Sequence, residues 1–154
     1  MVTFVKPTIE MVECISADMR QADIDEVWAS NHHGPYESLM KGWSASDYVS
    51  VALSDDGEPL AMLGLVKRDF LTGSGVVWLL GTNESMKHKK EFLKQTKQVI
   101  DDMLTICPRL CNMVHSKNKS SIAWLKWLGF TIDEPVPHGP DEELFHRFHL
   151  ERSA

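Results

Sequence analysis

Basic residues are concentrated in one stretch of an otherwise acidic chain. Residues 86–119 contain eight Lys and Arg against three Asp and Glu, a net charge of 8 − 3 = +5, whereas residues 1–40 contain two against seven, a net of −5. Lys87, Lys89 and Lys90 stand at the predicted N-terminus of a long helix, where the helix dipole disfavours cations unless an anion is also bound. Lys117 and Lys119 flank the start of the next predicted helix. The pattern predicts a polyphosphate site at these two helix starts, and a solvated lysine-rich helix face is the alternative.

A candidate proton-transfer group lies within this basic stretch. His115 directly follows the predicted strand 110–114, and histidine is the side chain that most readily exchanges a proton near neutral pH. His115 is therefore the first candidate for a general acid or base, and an ordinary loop histidine is the alternative. Glu84, just before the lysines, is the second candidate.

The spacing of Cys107, Cys111 and His115 resembles a metal-ligand pattern. Zinc sites, however, normally combine a close cysteine pair with a second pair of ligands elsewhere. Cys107 ends a predicted helix, Cys111 lies in a predicted strand, and the sequence offers no convincing fourth ligand nearby. No metal site is therefore predicted, and the three cysteines of the chain are expected to be reduced thiols in a cytoplasm.

The hydrophobic pattern predicts the elements that must position these residues. Strands are predicted at residues 9–15, 48–53, 59–66, 76–80, 110–114, 130–132 and 144–150, and helices at 21–30, 36–43, 86–107 and 118–128. The helix 86–107 has the clearest pattern, because its apolar residues recur at steps of three and four and share one face. Asn118 is a good N-cap for the last helix and Gly129 a good residue to follow its end. The order β-α-α-β-β-β-α-β-α-β-β predicts an α/β or α+β sandwich with a mixed sheet, in which the continuous apolar strand 76–80 is central.

The composition narrows the class of protein further. With 154 residues, 43% hydrophobic and 25% charged, the chain is expected to fold as a single globular domain over residues 1–154. Its net charge of −6 argues against general nucleic-acid binding. No apolar run approaches the roughly 18–20 residues of a membrane span, and residues 1–13 do not read as a signal peptide.

One motif resembles a known family. The segment Asn118-Lys-Ser-Ser-Ile-Ala-Trp-Leu-Lys-Trp-Leu-Gly-Phe130 is similar to the fourth-helix motif of the GNAT acetyltransferase superfamily, and the predicted element order also resembles that fold. Within the superfamily, this segment and the hairpin Gly57…Pro59-Leu-Ala look most like the small GNAT-like proteins of short-tailed bacteriophages. Some of those are classed as internal virion proteins.

The resemblance implies a fold, an activity and a site. The sheet would be mostly antiparallel, and acyl-coenzyme A would lie in the cleft between strands 76–80 and 110–114, where an acceptor amine attacks its thioester, most simply that of acetyl-coenzyme A. Between the first two helices, His32, His33 and Tyr36 would bind the amine, although a loop cap is the alternative for the two histidines. The cofactor residues that the resemblance implies are Leu79, Leu80, Gly81, Ser85, Met86, Lys87, His88, Lys89, Lys90 and Asn118.

Two departures from the family pattern lead to a second hypothesis. The loop whose glycines normally admit the pyrophosphate falls on residues 85–90, which contain no glycine, and the tyrosine that often serves as general acid falls on Leu125. The sequence therefore supports two functions: an acyl-coenzyme A-dependent N-acyltransferase, or a catalytically degenerate GNAT-like scaffold in a phage virion or bound to a host protein. The expected location is the host cytoplasm or the virion, and the expected partners are acyl-coenzyme A and an amine, or a second copy or another protein.

Overall fold

The computed structural model describes residues 1–69 and 71–153, and in these residues seven strands form one sheet. The strands are β1 (Thr3–Val5), β2 (Tyr48–Leu53), β3 (Pro59–Asp69), β4 (Ser74–Gly81), β5 (Arg109–His115), β6 (Thr131–His138) and β7 (Glu143–Glu151). The α-helices are α1 (Ile9–Ala17), α2 (Gln21–Asn31), α3 (Pro35–Ala45), α4 (Lys89–Ile106) and α5 (Lys119–Trp127), and a 3-10 helix (Glu84–His88) precedes α4. No helix in the described part of the chain is long and apolar enough to span a bilayer.

The sheet has the order β1-β2-β3-β4-β5-β7-β6, and only the β4–β5 pair is parallel. Helices α1 to α3 pack on one face through Val12 of α1, Val27 of α2 and Leu39 of α3, while α4 and α5 pack on the other. The predicted mixed, mostly antiparallel sandwich is confirmed. The apolar strand 76–80 is also central as predicted, because β4 is the fourth of the seven strands.

The N-terminal part differs from the prediction. Residues 9–15 were expected to form a strand, but Ile9–Ala17 is helix α1, and the first strand is Thr3–Val5. The alternating apolar residues at 9 and 11 suggested a strand, yet the buried side chains are Val12 and Ile15, which are three positions apart as on one face of a helix. Thr8 supplies the start signal, since its hydroxyl accepts the Met11 amide hydrogen at 3.2 Å. The strand prediction was therefore wrong, and three helices precede β2.

The predicted helices 86–107 and 118–128 are confirmed as α4 and α5, apart from the start of α4. Helix α4 buries Phe92, Val99, Ile100 and Met103 against the sheet, as the three- and four-residue steps require. Its α-helical part begins at Lys89 and not at residue 86, because Glu84–His88 forms the tighter 3-10 helix. Asn118 caps α5 by accepting the Ser121 amide hydrogen at 3.4 Å.

The parallel strands β4 and β5 separate after a short contact. Their register comprises only Ser74–Arg109, Gly75–Leu110 and Val76–Cys111. At the next position the Asn112 side-chain amide, not a backbone group, donates to the Val77 carbonyl at 2.7 Å. Beyond Val77 the two strands diverge toward their carboxyl ends and leave a gap in the middle of the sheet.

Trp78 fills the α3 side of β4 beside this gap. Its indole lies between Gly42 of α3 and Gly64 of β3, and its Nε1–H donates to Ser46 Oγ at 2.8 Å. A Cβ on Gly42 would lie 2.7 Å from the Trp78 ring. Glycine is therefore required at both positions by the close approach of the indole.

Gly64→Ala should destabilise the protein. A Cβ at this position would lie 2.5 Å from Trp78 Nε1 and 2.8 Å from Ser46 Oγ, so the ring or the strand must move, and overpacking typically costs about 1–3 kcal/mol. Chemical denaturation measures the loss. Gly34→Ala is the control, because a Cβ there meets nothing within 4 Å. Gly34 is the N-cap of α3, so this variant should lose only the capping difference, about 1 kcal/mol or less. Equal losses in both variants would contradict the tight packing around Trp78.

Candidate functional site

A cavity of about 450 Å³ passes through the gap between β4 and β5. Its walls come from both faces of the sheet, with α2 and α3 on one side and α4 and α5 on the other. Volumes of this size are typical of small-molecule sites, which are mostly apolar with a few polar groups. The cavity lies where the resemblance implied an active site.

Glu26 of α2 is the acidic group of this cavity. Its Oε1 accepts the His115 amide hydrogen at 2.8 Å and the Asn118 Nδ2–H at 3.3 Å. Burial, reinforced by the nearby Asp23 carboxylate, raises the pKa of Glu26 to about 7, although these two hydrogen bonds and Arg20 oppose the shift. Glu26 can therefore exchange a proton near neutral pH.

A buried ionic network lies beside Glu26. Arg20 Nη2 donates to Asn118 Oδ1 at 3.1 Å and to Ser120 Oγ, while Arg20 Nη1 lies 3.6 Å from Asp23 Oδ2. Asn118 Nδ2 donates to Asp23 Oδ1 at 3.0 Å. Burial raises the pKa of Asp23 against the opposing effect of Arg20. The network ties the start of α2 to the start of α5.

Arg20 and Asp23, at the start of α2, also form hydrogen bonds with the backbone at the end of β4. The Gly81 amide donates to Asp23 Oδ2 at 2.9 Å, and the Gly81 carbonyl accepts from the Arg20 amide at 3.0 Å. Met19 forms an isolated antiparallel bridge with Thr82. Because backbone groups alternate along a strand, Leu79 is the β4 residue whose backbone faces the gap between the bonded Val77 and Gly81.

The turn after β4 also satisfies its own backbone. The Glu84 amide donates to Asp18 Oδ2 at 3.2 Å, and the Ser85 amide donates to Thr82 Oγ1 at 3.2 Å. The Ser85 hydroxyl is fully buried and donates to the Thr82 carbonyl at 2.6 Å. The amides of Glu84 and Ser85 are therefore engaged within the chain, and that of Glu84 is bonded to a carboxylate.

The predicted phosphate residues lie outside the cavity. Lys87 is 74% exposed and pairs with Glu84 Oε2 at 3.1 Å. Lys89 and Lys90 are also exposed, and His88 Nε2 lies 3.7 Å from Glu84 Oε1. Met86 of the same loop is 40% exposed, whereas Leu79 and Leu80, predicted to contact the coenzyme arm, line the cavity. The structure thus brings the strand residues to the cavity but not the lysines.

His115 lies behind the cavity wall. Its side chain is 3% exposed, its Nε2 lies 2.8 Å from Glu143 Oε1, and its ring packs on Phe145 with centroids 5.0 Å apart. The backbone of His115, not its ring, contacts Glu26. The imidazole of His115 pairs with Glu143 while Glu84, the second predicted candidate, pairs with Lys87, and the catalytic roles of both stay predictions.

The predicted acceptor residues are only partly brought together. His33 lines the cavity, and its Nε2 lies 3.8 Å from Glu37 Oε1. His32 ends α2 in the left-handed conformation, stacks on Trp28 and contacts Asp141 Oδ2 at 2.9 Å. Tyr36 is 45% exposed. The alternative of a loop cap therefore describes His32 well, while His33 remains at the site.

Sequence reasoning missed Arg20, Asp23 and Glu26. Their signal is a spacing of three residues, which places them on one side of α2 together with the partly buried Val27. Charged residues on the inward side of a short helix indicate a buried ionic cluster. Their partners on β4, β5 and α5 become visible only in the folded chain.

Comparison with solved structures identifies the fold class. The crystal structure of spermidine N-acetyltransferase from Vibrio cholerae in complex with CoA and spermine matches with a TM-score of 0.74 and 12% identity over 98% of this chain and 95% of that chain. A GCN5-related N-acetyltransferase from Kribbella flavida matches with a TM-score of 0.67 and 12% identity over 97% of each chain. At this identity the likeness shows the fold, which is that of the GNAT N-acetyltransferases.

A match to a protein-family model shows the family of the chain. The model of the family described as "Bacteriophage T7, probable scaffold protein Gp13" matches residues 49–135, more than half of the chain. The chain belongs to this family. No curated protein sequence matches the chain.

The raised pKa of Glu26 predicts a pH dependence of stability. In the folded protein Glu26 keeps its proton up to about pH 7, whereas an unfolded glutamate loses it near pH 4.5. Within this window the folded state binds more protons, so the free energy of unfolding falls as the pH rises, by at most about 3 kcal/mol. Glu26→Gln removes this dependence. Its stability relative to the unmodified protein should therefore increase between about pH 5 and about pH 8.

Denaturation of both proteins at the two pH values measures this difference. Asp25→Asn is the control, because Asp25 is exposed on the same helix and its carboxylate accepts from Gln21 at 2.8 Å. Its effect should be the same at both pH values. If Glu26→Gln also changes the free energy of unfolding equally at both pH values, the pKa of Glu26 is not raised in the folded protein.

Proposed function

We propose that this protein is a non-catalytic GNAT-fold scaffold that acts in the assembly of a phage particle. The observation that supports this proposal is that the chain's own groups bond Gly81 at the end of β4 and the amides of Glu84 and Ser85 in the turn that follows. The protein would then work through its surface, in the virion or in the host cytoplasm. Membership of a family described as a probable scaffold protein supports the same function.

The residues present do not fit coenzyme A in this arrangement. The coenzyme arm was expected along residues 79–81, but the Gly81 amide and carbonyl are bonded to Asp23 and Arg20. Asn118, expected to contact the arm, is 1% exposed and bonded within the ionic network.

The phosphate positions fit no better. Asp18 accepts the Glu84 amide hydrogen, and a carboxylate at that place would repel a phosphate. The hydroxyl of Ser85 is buried against Thr82. Residues 85–90 contain no glycine, so side chains would also crowd the close approach that a pyrophosphate requires.

The acyltransferase remains the second candidate because of one observation. Glu26 borders the cavity with a pKa of about 7, which is the range of an effective general base. In that function Glu26 would take the proton from an amine in the cavity. Leu125, which stands where the family often has a tyrosine, lines the same cavity and has no proton to donate.

Binding of acetyl-coenzyme A separates the two functions. A ligand at one hundred times its dissociation constant stabilises the folded state by about 2.7 kcal/mol. The scaffold proposal predicts no saturable rise in melting temperature and no heat of binding at millimolar acetyl-coenzyme A. A saturable rise would favour the enzyme. In that case Lys87→Glu, Lys89→Glu and Lys90→Glu together would show whether these lysines hold the phosphates, because their reversal would then abolish the rise.

A genetic test examines the assembly role directly. In a phage that depends on this protein, deletion should stop the production of infectious particles, whereas Glu26→Gln should restore particle yield as fully as the unmodified chain. Asp25→Asn, a neutralised acid on the same helix, is the matched control. Failure of Glu26→Gln alone, with normal protein levels, would mean that the carboxylate is chemically required and would contradict the scaffold proposal.

A further inference from the structure

We propose that the cavity binds a linear aliphatic carboxylate, with the carboxylate on the α2–α3 side and the chain on the α4–α5 side. This inference goes beyond the assembly role and does not depend on it. It rests on the unequal distribution of charge between the two ends of the cavity.

The α4–α5 end of the cavity is almost wholly apolar. Its walls are Val99, Ile100 and Met103 of α4 and Leu125 and Leu128 at the end of α5. These side chains belong to the core cluster on that face of the sheet. An aliphatic chain is the ligand group that such walls favour.

The α2–α3 end carries positive charge. Lys41 of α3 and Arg68 of β3 both line the cavity, and neither has a carboxylate within 4 Å in residues 1–69 and 71–153. His33 and His138 lie at the same end. Ser38 also lines it, and its buried Oγ has no hydrogen-bond partner among the described residues. Two unpaired cations and a free hydroxyl favour an anionic head group.

The gap between β4 and β5 joins the two ends. Val77 and Leu79 face α4 while Trp78 faces α3. Because side chains from both faces line the one cavity, an extended chain can pass from the charged end to the apolar end between the strands. Glu26, the one carboxylate that lines the cavity in the described residues, also belongs to α2, but it is bonded to the His115 amide and to Asn118 and lies more than 4 Å from Lys41 and Arg68. An amine head group would meet Lys41 and Arg68, and this repulsion selects the carboxylate.

Titration with straight-chain carboxylates below their micelle concentrations tests the proposal. Trp78 and Trp124 line the cavity, so their fluorescence reports binding, and calorimetry confirms it. Each buried methylene should tighten binding about fourfold. Decanoate should therefore bind about 200-fold more tightly than hexanoate, and decylamine at least tenfold more weakly than decanoate.

Two variants test the two ends separately. Lys41→Glu with Arg68→Glu should weaken decanoate binding at least tenfold and leave decanol binding unchanged. Leu125→Trp should fill the apolar end and remove the dependence on chain length. The matched control is Lys90→Glu with Lys94→Glu, two exposed lysines of α4 that do not line the cavity, and its decanoate affinity should equal that of the unmodified protein.

Three results would overturn the proposal. The first is no binding of decanoate at millimolar concentration, and the second is decylamine binding as tightly as decanoate. The third is an equal loss in the Lys41/Arg68 variant and in the Lys90/Lys94 control, which would show that only the net charge of the protein matters. Circular dichroism of each variant confirms that it is folded before its affinity is compared.

Discussion

The divergence of β4 and β5 is the constraint on which the rest of the structure depends. Two parallel strands that separate after three residue pairs leave backbone donors and acceptors facing each other across a gap, and buried backbone groups need partners. In this protein the Asn112 side chain bonds Val77, and the Asp23 side chain and the Arg20 backbone bond Gly81, which leaves Leu79 between them facing the gap. The chain's own groups therefore bond the carboxyl end of β4 at the outer part of the gap.

This closure explains the buried charges. Asp23 accepts from Gly81 and Asn118, and Arg20 stands against it at 3.6 Å. Burying such groups is costly unless their hydrogen bonds are met, and removing one partner leaves the other charge uncompensated. The network therefore fixes α2 across the end of the gap. The cavity remains beside this network, and it is lined by Glu26, whose pKa is about 7, and by Lys41 and Arg68. The fold alone therefore does not decide the function.

Much of the fold could be predicted from the sequence, because period and capping are local signals. The apolar steps of α4, the cap Asn118 and the central apolar strand all have such signals, and each is confirmed. Residues 9–15 were misread because β-branched and apolar residues at 9 and 11 also fit an alternating strand, whereas the cap Thr8 decided for a helix. The site was less predictable. Lys87, Lys89 and Lys90 are close in sequence to cavity residues but lie outside the cavity. The network of Arg20 and Asp23 joins residues almost a hundred positions apart.

Amide hydrogen exchange, resolved to single residues, tests the central claim most directly. If the chain itself closes the coenzyme edge, the amides of Gly81 and Glu84 must be bonded to Asp23 and Asp18 in solution. Their exchange should then be as slow as that of the buried strand β3, and acetyl-coenzyme A should leave it unchanged. Exchange at the rate of an open loop, with protection appearing only when acetyl-coenzyme A is added, would contradict this claim and would support the acyltransferase function.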